Sequence, residues 1–424
     1  MGERPRCGAA VPTFAARPAA PNPLASMTLP PPRVLGPVAG LTAAVLCALA
    51  PRAGEAQTLD TLPGGIVRYD DYRAPDGFYV FWPALPADAE VYSRDSLGLT
   101  IFSHGHSVLN PVTYGAWLRH LVLEQRQVVV YPRYQRNWVM PGSRAFAKTH
   151  HAGLSAALAY LDTAGLALGH APPIYIGHSY GAVLTAYALA RQDSLGYPPA
   201  FGALLAAPGT YRLKGSRLGD YSSIPAATQV LVVSHEDDAI VGDEFAELLF
   251  ETAPAGARTA WLQQSAQAHG DRRLGAGHSE CYGVDEVFDT GRFRLKAEHT
   301  RRISCVDALD RELYWALADE LIAARREGRP HAVFRNQTDE HAFGYWPDGS
   351  PREPLRIRHR SRAAPLPFLL AHSRDGLLDL LSESNGRRGT RPEVQIPYSL
   401  DEALDRLSDP TTAPAEAAAP APRR

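Results

Sequence analysis

From Leu99 to Gln263 the chain alternates short, nearly unbroken apolar runs with longer stretches of helical periodicity. The runs are Leu99–Ser103, Gln127–Tyr131, Pro173–Gly177, Phe201–Ala206, Gln229–Ser234 and Thr259–Gln263. Helical patterns fill the gaps at Tyr114–Glu124, His151–Leu161, Ala182–Arg191 and Asp243–Thr252. A strand with one face in water alternates apolar and polar residues, whereas a strand covered on both faces reads as continuous Val, Ile and Leu. The pattern therefore predicts an α/β fold, a mostly parallel sheet with helices on both faces. Phe78–Pro83 (FYVFWP) reads as an earlier, antiparallel strand. Val306, Leu309, Leu313, Leu317 and Leu321 keep helical spacing and predict a closing amphipathic helix over Val306–Arg326, with Ser304 and Asp307 spaced as a capping box. No internal repeat is visible.

The ends follow a different pattern. Residues 1–26 are rich in Pro, Ala and Arg, and Met27 opens a new segment that leads into the apolar run Val34–Ala50. That run of 17 residues falls short of the ~20 that a spanning helix needs. Small residues follow, with Ala56 at a cleavage point, so residues 1–56 read as a leader and secretory signal peptide, with Met27 a candidate for the true start. The alternative is an uncleaved anchor helix. The signal reading predicts a secreted or periplasmic protein with no stable membrane span after cleavage. Residues 57–330 then form the main domain, 331–408 a C-terminal extension without evident site chemistry, and 409–424 (DPTTAPAEAAAPAPRR) a disordered tail.

Composition narrows the partners. The 424 residues carry 43 Lys and Arg against 45 Asp and Glu, a formal charge of −2, which argues against nucleic acid as a partner. Removing residues 1–56 takes away five arginines and two glutamates and leaves −5. It also removes Cys7 and Cys47, so Cys281 and Cys305 remain as an even pair, read as a disulfide in an exported chain. Two buried thiols are the alternative.

Candidate chemistry is concentrated at the ends of the apolar runs. Gly177-His178-Ser179-Tyr180-Gly181 fits G-x-S-x-G, with a strand before it and a helix after it. In that context the serine sits on a sharp strand-to-helix turn, Gly177 and Gly181 remove side chains that would collide there, and the hydroxyl lies at a helix N-terminus. A Gly-rich turn with an incidental serine is the alternative. Ser103-His104-Gly105-His106 ends an earlier strand. The backbone N–H groups of His106 and Tyr180 are the candidates for an oxyanion hole. His104 and His106 could also be read as a metal pair, but no carboxylate or cysteine lies nearby at ligand spacing, so no metal is predicted. The strand in VLVVSHEDDAIVG runs into paired acids, and Asp238 is favoured over Asp237 or Glu236 as the orienter of a histidine. His278 in GAGHSEC is favoured as the base over His269 and the more distant His299. Tyr114, Trp117, Tyr134 and Trp138 are substrate-pocket candidates, though core packing is the commoner fate of such residues, and residues 208–228 could form part of a lid.

The order Ser179, Asp238, His278 is the chain order of the α/β-hydrolases. On FSHGHS, IGHSYGA, VVSHEDDAIVG and GAGHSEC the chain resembles that fold family over roughly residues 78–326, and most of all its branch of chlorophyllases, dienelactone hydrolases, platelet-activating-factor acetylhydrolases and cutinase-like polyester hydrolases. The resemblance implies an eight-stranded sheet, a Ser–His–Asp triad, no cofactor and a small-molecule or lipid-like ester as substrate. Ser234-His235 departs from the family pattern, where many members carry a glycine before the acid. The same residues could serve an acyltransferase or thioesterase, and a non-catalytic binding protein on this scaffold is a third reading.

Overall fold

The computed structural model describes residues 57–71, 77–84, 97–135, 143–164, 166, 168–210, 218–254, 258–336 and 338–360. The chain divides into two units, Met1–Pro365 and Leu366–Arg424, and every described residue belongs to the first. The leader and signal peptide, Trp138, the extension beyond 360 and the tail lie outside the described residues.

The strands are β1 (Gln57–Leu62), β2 (Ile66–Asp71), β3 (Phe78–Pro83), β4 (Gly98–Ser103), β5 (Gln127–Pro132), β6 (Ile174–His178), β7 (Gly202–Ala206), β8 (Gln229–His235), β9 (Thr259–Gln264), β10 (Gln267–His269), β11 (Arg272–Leu274), β12 (Glu340–His341) and β13 (Leu355–His359). All but β10 and β11, which form a small hairpin, join one sheet in the order β1-β2-β3-β5-β4-β6-β7-β8-β9-β13-β12. The neighbours from β5 through β4, β6, β7 and β8 to β9 are parallel. The flanking pairs are antiparallel.

The expected eight-stranded, mostly parallel sheet is thus an 11-stranded mixed one. The additions are edge strands with a wet face, which a search for unbroken apolar runs passes over. In β13 (LRIRH) Leu355 and Ile357 are buried and Arg356 and Arg358 are exposed, an alternation of period two. The Arg358 guanidinium lies 4.8 Å from the ring centre of Trp261, covering β9. β1 and β2 are joined through Gly64 and Gly65, whose φ angles of 89° and 78° only glycine adopts without strain.

The helices that matter for the site are α1 (Gly115–Arg119), α2 (Ser143–Thr163), α3 (Tyr180–Ala190), α4 (Glu244–Thr252), α5 (Arg294–Ile303) and α6 (Ala316–Glu327). α1 continues a 3₁₀ turn at Pro111–Tyr114 and runs on as a π turn at His120–Glu124, and a second π turn at Asp310–Trp315 leads into α6. Successive residues of the parallel strands feed opposite cores. Ile174, Ile176, Leu204, Leu231 and Val233 pack with Trp117, Leu313, Leu317 and Leu321 on one face. Tyr175, Ala203, Leu205, Val230 and Val232 pack with Leu154, Val183, Phe245 and Leu249 on the other. This double coverage is why the strands read as continuous apolar runs. Among the described residues no helix is long and apolar enough to cross a membrane.

The closing helix is capped one turn later than its sequence suggested. Asp307 Oδ1 accepts from the N–H of Leu309 (2.8 Å), and Asp310 Oδ2 accepts from the N–H of Asp307 (2.9 Å), closing the box. The hydroxyl of Ser304 is taken instead by the N–H of Val284 at 3.1 Å.

Candidate active site

β4 has β5 on one side and β6 on the other, so the chain leaves it in opposite directions. Crevices at the carboxyl ends of strands beside such a switch point are where open α/β sheets bind ligands. The register aligns those ends: Ser103 pairs with Gly177, His178 with Ala206, and Ala206 with Val233. The candidate oxyanion loop, nucleophile and acid follow β4, β6 and β8 along this edge.

β6 ends at His178 and α3 begins at Tyr180, so Ser179 alone makes the turn, at φ 54° and ψ −124°. That backbone is costly for a residue with a side chain and persists only where its surroundings enforce it. Here the Ser179 N–H donates to the Ala206 carbonyl (2.9 Å) and its own carbonyl accepts from the Ala182 N–H (3.0 Å). A Cβ on Gly177 would lie 2.6 Å from Ala182 Cα, and one on Gly181 would overlap the carbonyl oxygens of Ser103 and His104. Both glycines are therefore required for the helix to start so close to β4 and β6.

Asp238 and His278 reach Ser179 from separate loops. His278 Nδ1 lies 2.7 Å from Asp238 Oδ2, and its Nε2 lies 2.9 Å from Ser179 Oγ. A carboxylate only accepts, so Nδ1 carries the proton and Nε2 presents a lone pair to the serine hydroxyl. Asp238 is held by its own turn: Oδ1 accepts from the N–H groups of Ile240 (2.9 Å) and Val241 (3.1 Å). Burial pushes its carboxyl up, but the bond from His278, the imidazole beside it and these two N–H groups outweigh burial and leave it below the ordinary carboxylate range. It stays ionised as an acceptor at neutral pH.

The alternatives lie elsewhere. Asp237 and Glu236 are exposed, and Asp237 spends its N–H on the Ala276 carbonyl at 2.9 Å. His269 is on β10, where its Nε2 meets Asp348 Oδ2 at 2.6 Å. His299 is exposed on α5.

The expected Cys281–Cys305 disulfide does not form. Cys281 is a free thiol, 1% exposed, within the apolar cluster that also holds Tyr282, Leu309 and Leu313. Burial pushes this thiol well up. The loop carrying His278 is tied down by hydrogen bonds instead. The Asp237 N–H binds Ala276, Gln264 Nε2 donates to the Gly275 carbonyl (2.9 Å), and the Gly277 N–H donates to Glu280 Oε1 (3.0 Å). Gln264 in turn receives His235 Nδ1–H at 2.7 Å, and the Tyr314 hydroxyl closes on the other ring nitrogen of His235. The Ser234-His235 departure thus supplies a buried polar brace under the acid loop.

The segment after β4 is clamped on almost every side. The Gly105 N–H donates to the Tyr114 hydroxyl at 2.9 Å. The Gly105 carbonyl accepts from His104 Nδ1 (2.8 Å) and from the Val108 N–H (3.1 Å). The Ser107 N–H donates to Gln135 Oε1 at 2.6 Å, with Ser107 at a left-handed φ of 65°. Because a peptide is planar and trans, fixing the Gly105 carbonyl also fixes the direction of the His106 N–H, opposite to it. Burial pushes the His104 imidazole down to about 3, so it remains neutral and keeps a single donor role. Tyr180, the other oxyanion candidate, is the first residue of α3.

The three aromatic pocket candidates among the described residues are core residues. Tyr114 and Trp117 are fully buried and Tyr134 is 1% exposed, stacked 4.3 Å from His104. Within 208–228, residues 211–217 lie outside the described residues, while Tyr221 and Ile224 are buried against α3 and α4. Gln135 is a polar group that the sequence does not point to, and His104, Tyr114 and His235 hold bracing hydrogen bonds in place of the roles that the sequence suggests for them. A single polar residue beside an apolar run carries no signal of its own for such a brace.

No protein-family model and no curated protein matches the chain. Among solved structures it is similar to an esterase of the fungus Rhizomucor miehei, at 15% identity and a TM-score of 0.36, covering 58% of this chain and 82% of that one. It is similar also to carboxyl esterase 2 of the mycorrhizal fungus Tuber melanosporum, at 16% identity and a TM-score of 0.36, covering 58% and 84%. Likeness of this size carries no argument about the activity of this chain.

Proposed function

We propose that the chain is a serine hydrolase of carboxylic esters built on an α/β-hydrolase scaffold. The observation that carries this reading is the unbroken hydrogen-bonded line Asp238–His278–Ser179 at the carboxyl edge of a parallel sheet. In this reading Ser179 Oγ attacks the ester carbonyl while its proton passes to His278 Nε2. Asp238 holds the Nδ1–H tautomer and stabilises the imidazolium that forms. The N–H groups of His106 and Tyr180 receive the charge that develops on the carbonyl oxygen, aided by the N-terminus of α3. His278 then returns the proton to the departing alkoxide. Water attacks the acyl-enzyme by the same route and releases the acid.

The test is labelling of Ser179 by a fluorophosphonate, together with hydrolysis of p-nitrophenyl esters of increasing acyl length. The wild-type chain is expected to label at Ser179 and to turn over at least one ester. Ser179→Ala and His278→Ala should each remove nearly all of the rate, because the two act as a unit. Near-normal hydrolysis by Ser179→Ala would overturn the proposal.

A further inference from the structure

His178, between Gly177 and Ser179, points away from the serine and bridges two loops. Its Nε2 lies 2.9 Å from the carbonyl oxygen of His278, and its Nδ1 lies 2.8 Å from the Tyr114 hydroxyl. That hydroxyl also receives the Gly105 N–H at 2.9 Å. The proton positions follow from the partners. The His278 carbonyl only accepts, so His178 carries its proton on Nε2. Nδ1 must then accept, and the Tyr114 O–H donates to it. Tyr114 accepts from Gly105 on its lone pair. Every donor in this line has one acceptor and the direction is unique.

The surroundings are built for it. Tyr114 and His178 are fully buried, and Tyr282 packs edge-on to both, at 5.5 Å and 5.3 Å between ring centres. A Cβ on Gly105 would lie 2.8 Å from His178 Nδ1 and 3.1 Å from the Tyr114 hydroxyl, so glycine is needed where the line passes. Burial holds His178 well below the ordinary imidazole range, which keeps the ring neutral and its two nitrogens in fixed roles.

We propose that Tyr114 and His178 are positioning residues, a buried strut that sets the backbone of the base, His278, against the loop that carries the His106 N–H. The strut rests on the hydrolase reading for its consequence but not for its geometry. A base and an oxyanion donor on separate loops must keep a common frame to within a fraction of an ångström, because a displacement of about 1 Å costs on the order of 10²-fold in rate. The strut joins the two loops directly, and both of its side chains are fully buried.

The experiment compares wild type with Tyr114→Phe, His178→Leu, His178→Gln and the Tyr114→Phe/His178→Leu double variant. One readout is the rate of Ser179 labelling and the kcat and KM of ester hydrolysis. The other is the ¹⁵N-histidine NMR spectrum of His178 and His278 from pH 5 to 9. Tyr114→Phe is expected to lower labelling and kcat ~10-fold or more with KM unchanged. The double variant should be no slower than His178→Leu, because both remove one line. His178→Gln, which can still donate to the His278 carbonyl, should recover part of the loss. The spectrum should show His178 as a non-titrating Nε2–H tautomer, with the His278 resonances shifted in Tyr114→Phe. Additive losses, or His278 resonances unmoved by Tyr114→Phe, would overturn the strut. Absence of wild-type labelling would overturn the hydrolase reading alone, since the spectra judge the strut without activity.

Discussion

Asp310 offers a quantitative test of how burial shapes this fold. It opens the π turn before α6 and is 1% exposed. Its Oδ2 accepts from the Asp307 N–H, while Oδ1 has no hydrogen-bond partner among the described residues. Burial is the largest influence on its carboxyl; the Asp307 N–H opposes it, the Asp307 and Glu280 carboxylates add to it, and its pKa is pushed from 3.8 up to about 8. In the unfolded chain the same group ionises near 4. Between those values the native state holds a proton that the unfolded state has lost. Stability contributed by this group is therefore complete below about pH 4 and falls as pH rises toward 8. At ~1.4 kcal/mol per pH unit, the interval amounts to roughly 6 kcal/mol as an upper bound. Asp310→Asn keeps the acceptor for the Asp307 N–H and removes the ionisation. Urea unfolding of both proteins from pH 4 to 9 should give similar stabilities near pH 4 and an advantage to the variant that grows by several kcal/mol up to about pH 8 and then levels off. Other titrating groups are common to both proteins and cancel in the difference. A stability difference that stays flat across that range would refute the reasoning and show that Asp310 ionises as an exposed carboxylate does.

Two further outcomes follow from backbone and sheet geometry. Ser179 holds a φ of 54° that a Cβ opposes, so Ser179→Gly should be more stable than Ser179→Ala by ~1 kcal/mol in urea unfolding, although both lose labelling; the reverse order would remove the strain argument. A chain ending at residue 330, the boundary expected from sequence, loses β13 together with the buried Phe343, Trp346, Leu355 and Ile357, and uncovers the edge of β9. It should aggregate on expression, whereas a chain ending at 365 should remain soluble and monodisperse by size-exclusion chromatography, and equal solubility of the two would count against the sheet assignment.

The sequence by itself determined the elements that are buried on both faces and the residues that sit at their ends. β4 to β9 are apolar at nearly every position, so a local pattern marks them without knowledge of their neighbours. The turn at Ser179 was legible for a similar reason: strain, two glycines and a strand-to-helix change are all local, within Gly177–Gly181. The turn after Asp238 is likewise local, and its N–H groups hold the carboxylate. Only the tertiary structure could decide the rest. β1, β2, β12 and β13 are half wet and acquire their partners from distant segments, so nothing local sets them apart from loops. Cysteine count says nothing about which way a thiol faces, and packing turns Cys281 into the core as a free thiol. The polar line from Gly105 through Tyr114 and His178 to His278 spans separations of 9, 64 and 100 residues. No member signals the line by itself, and the requirement that each buried donor find an acceptor can be read only when the loops have been brought together.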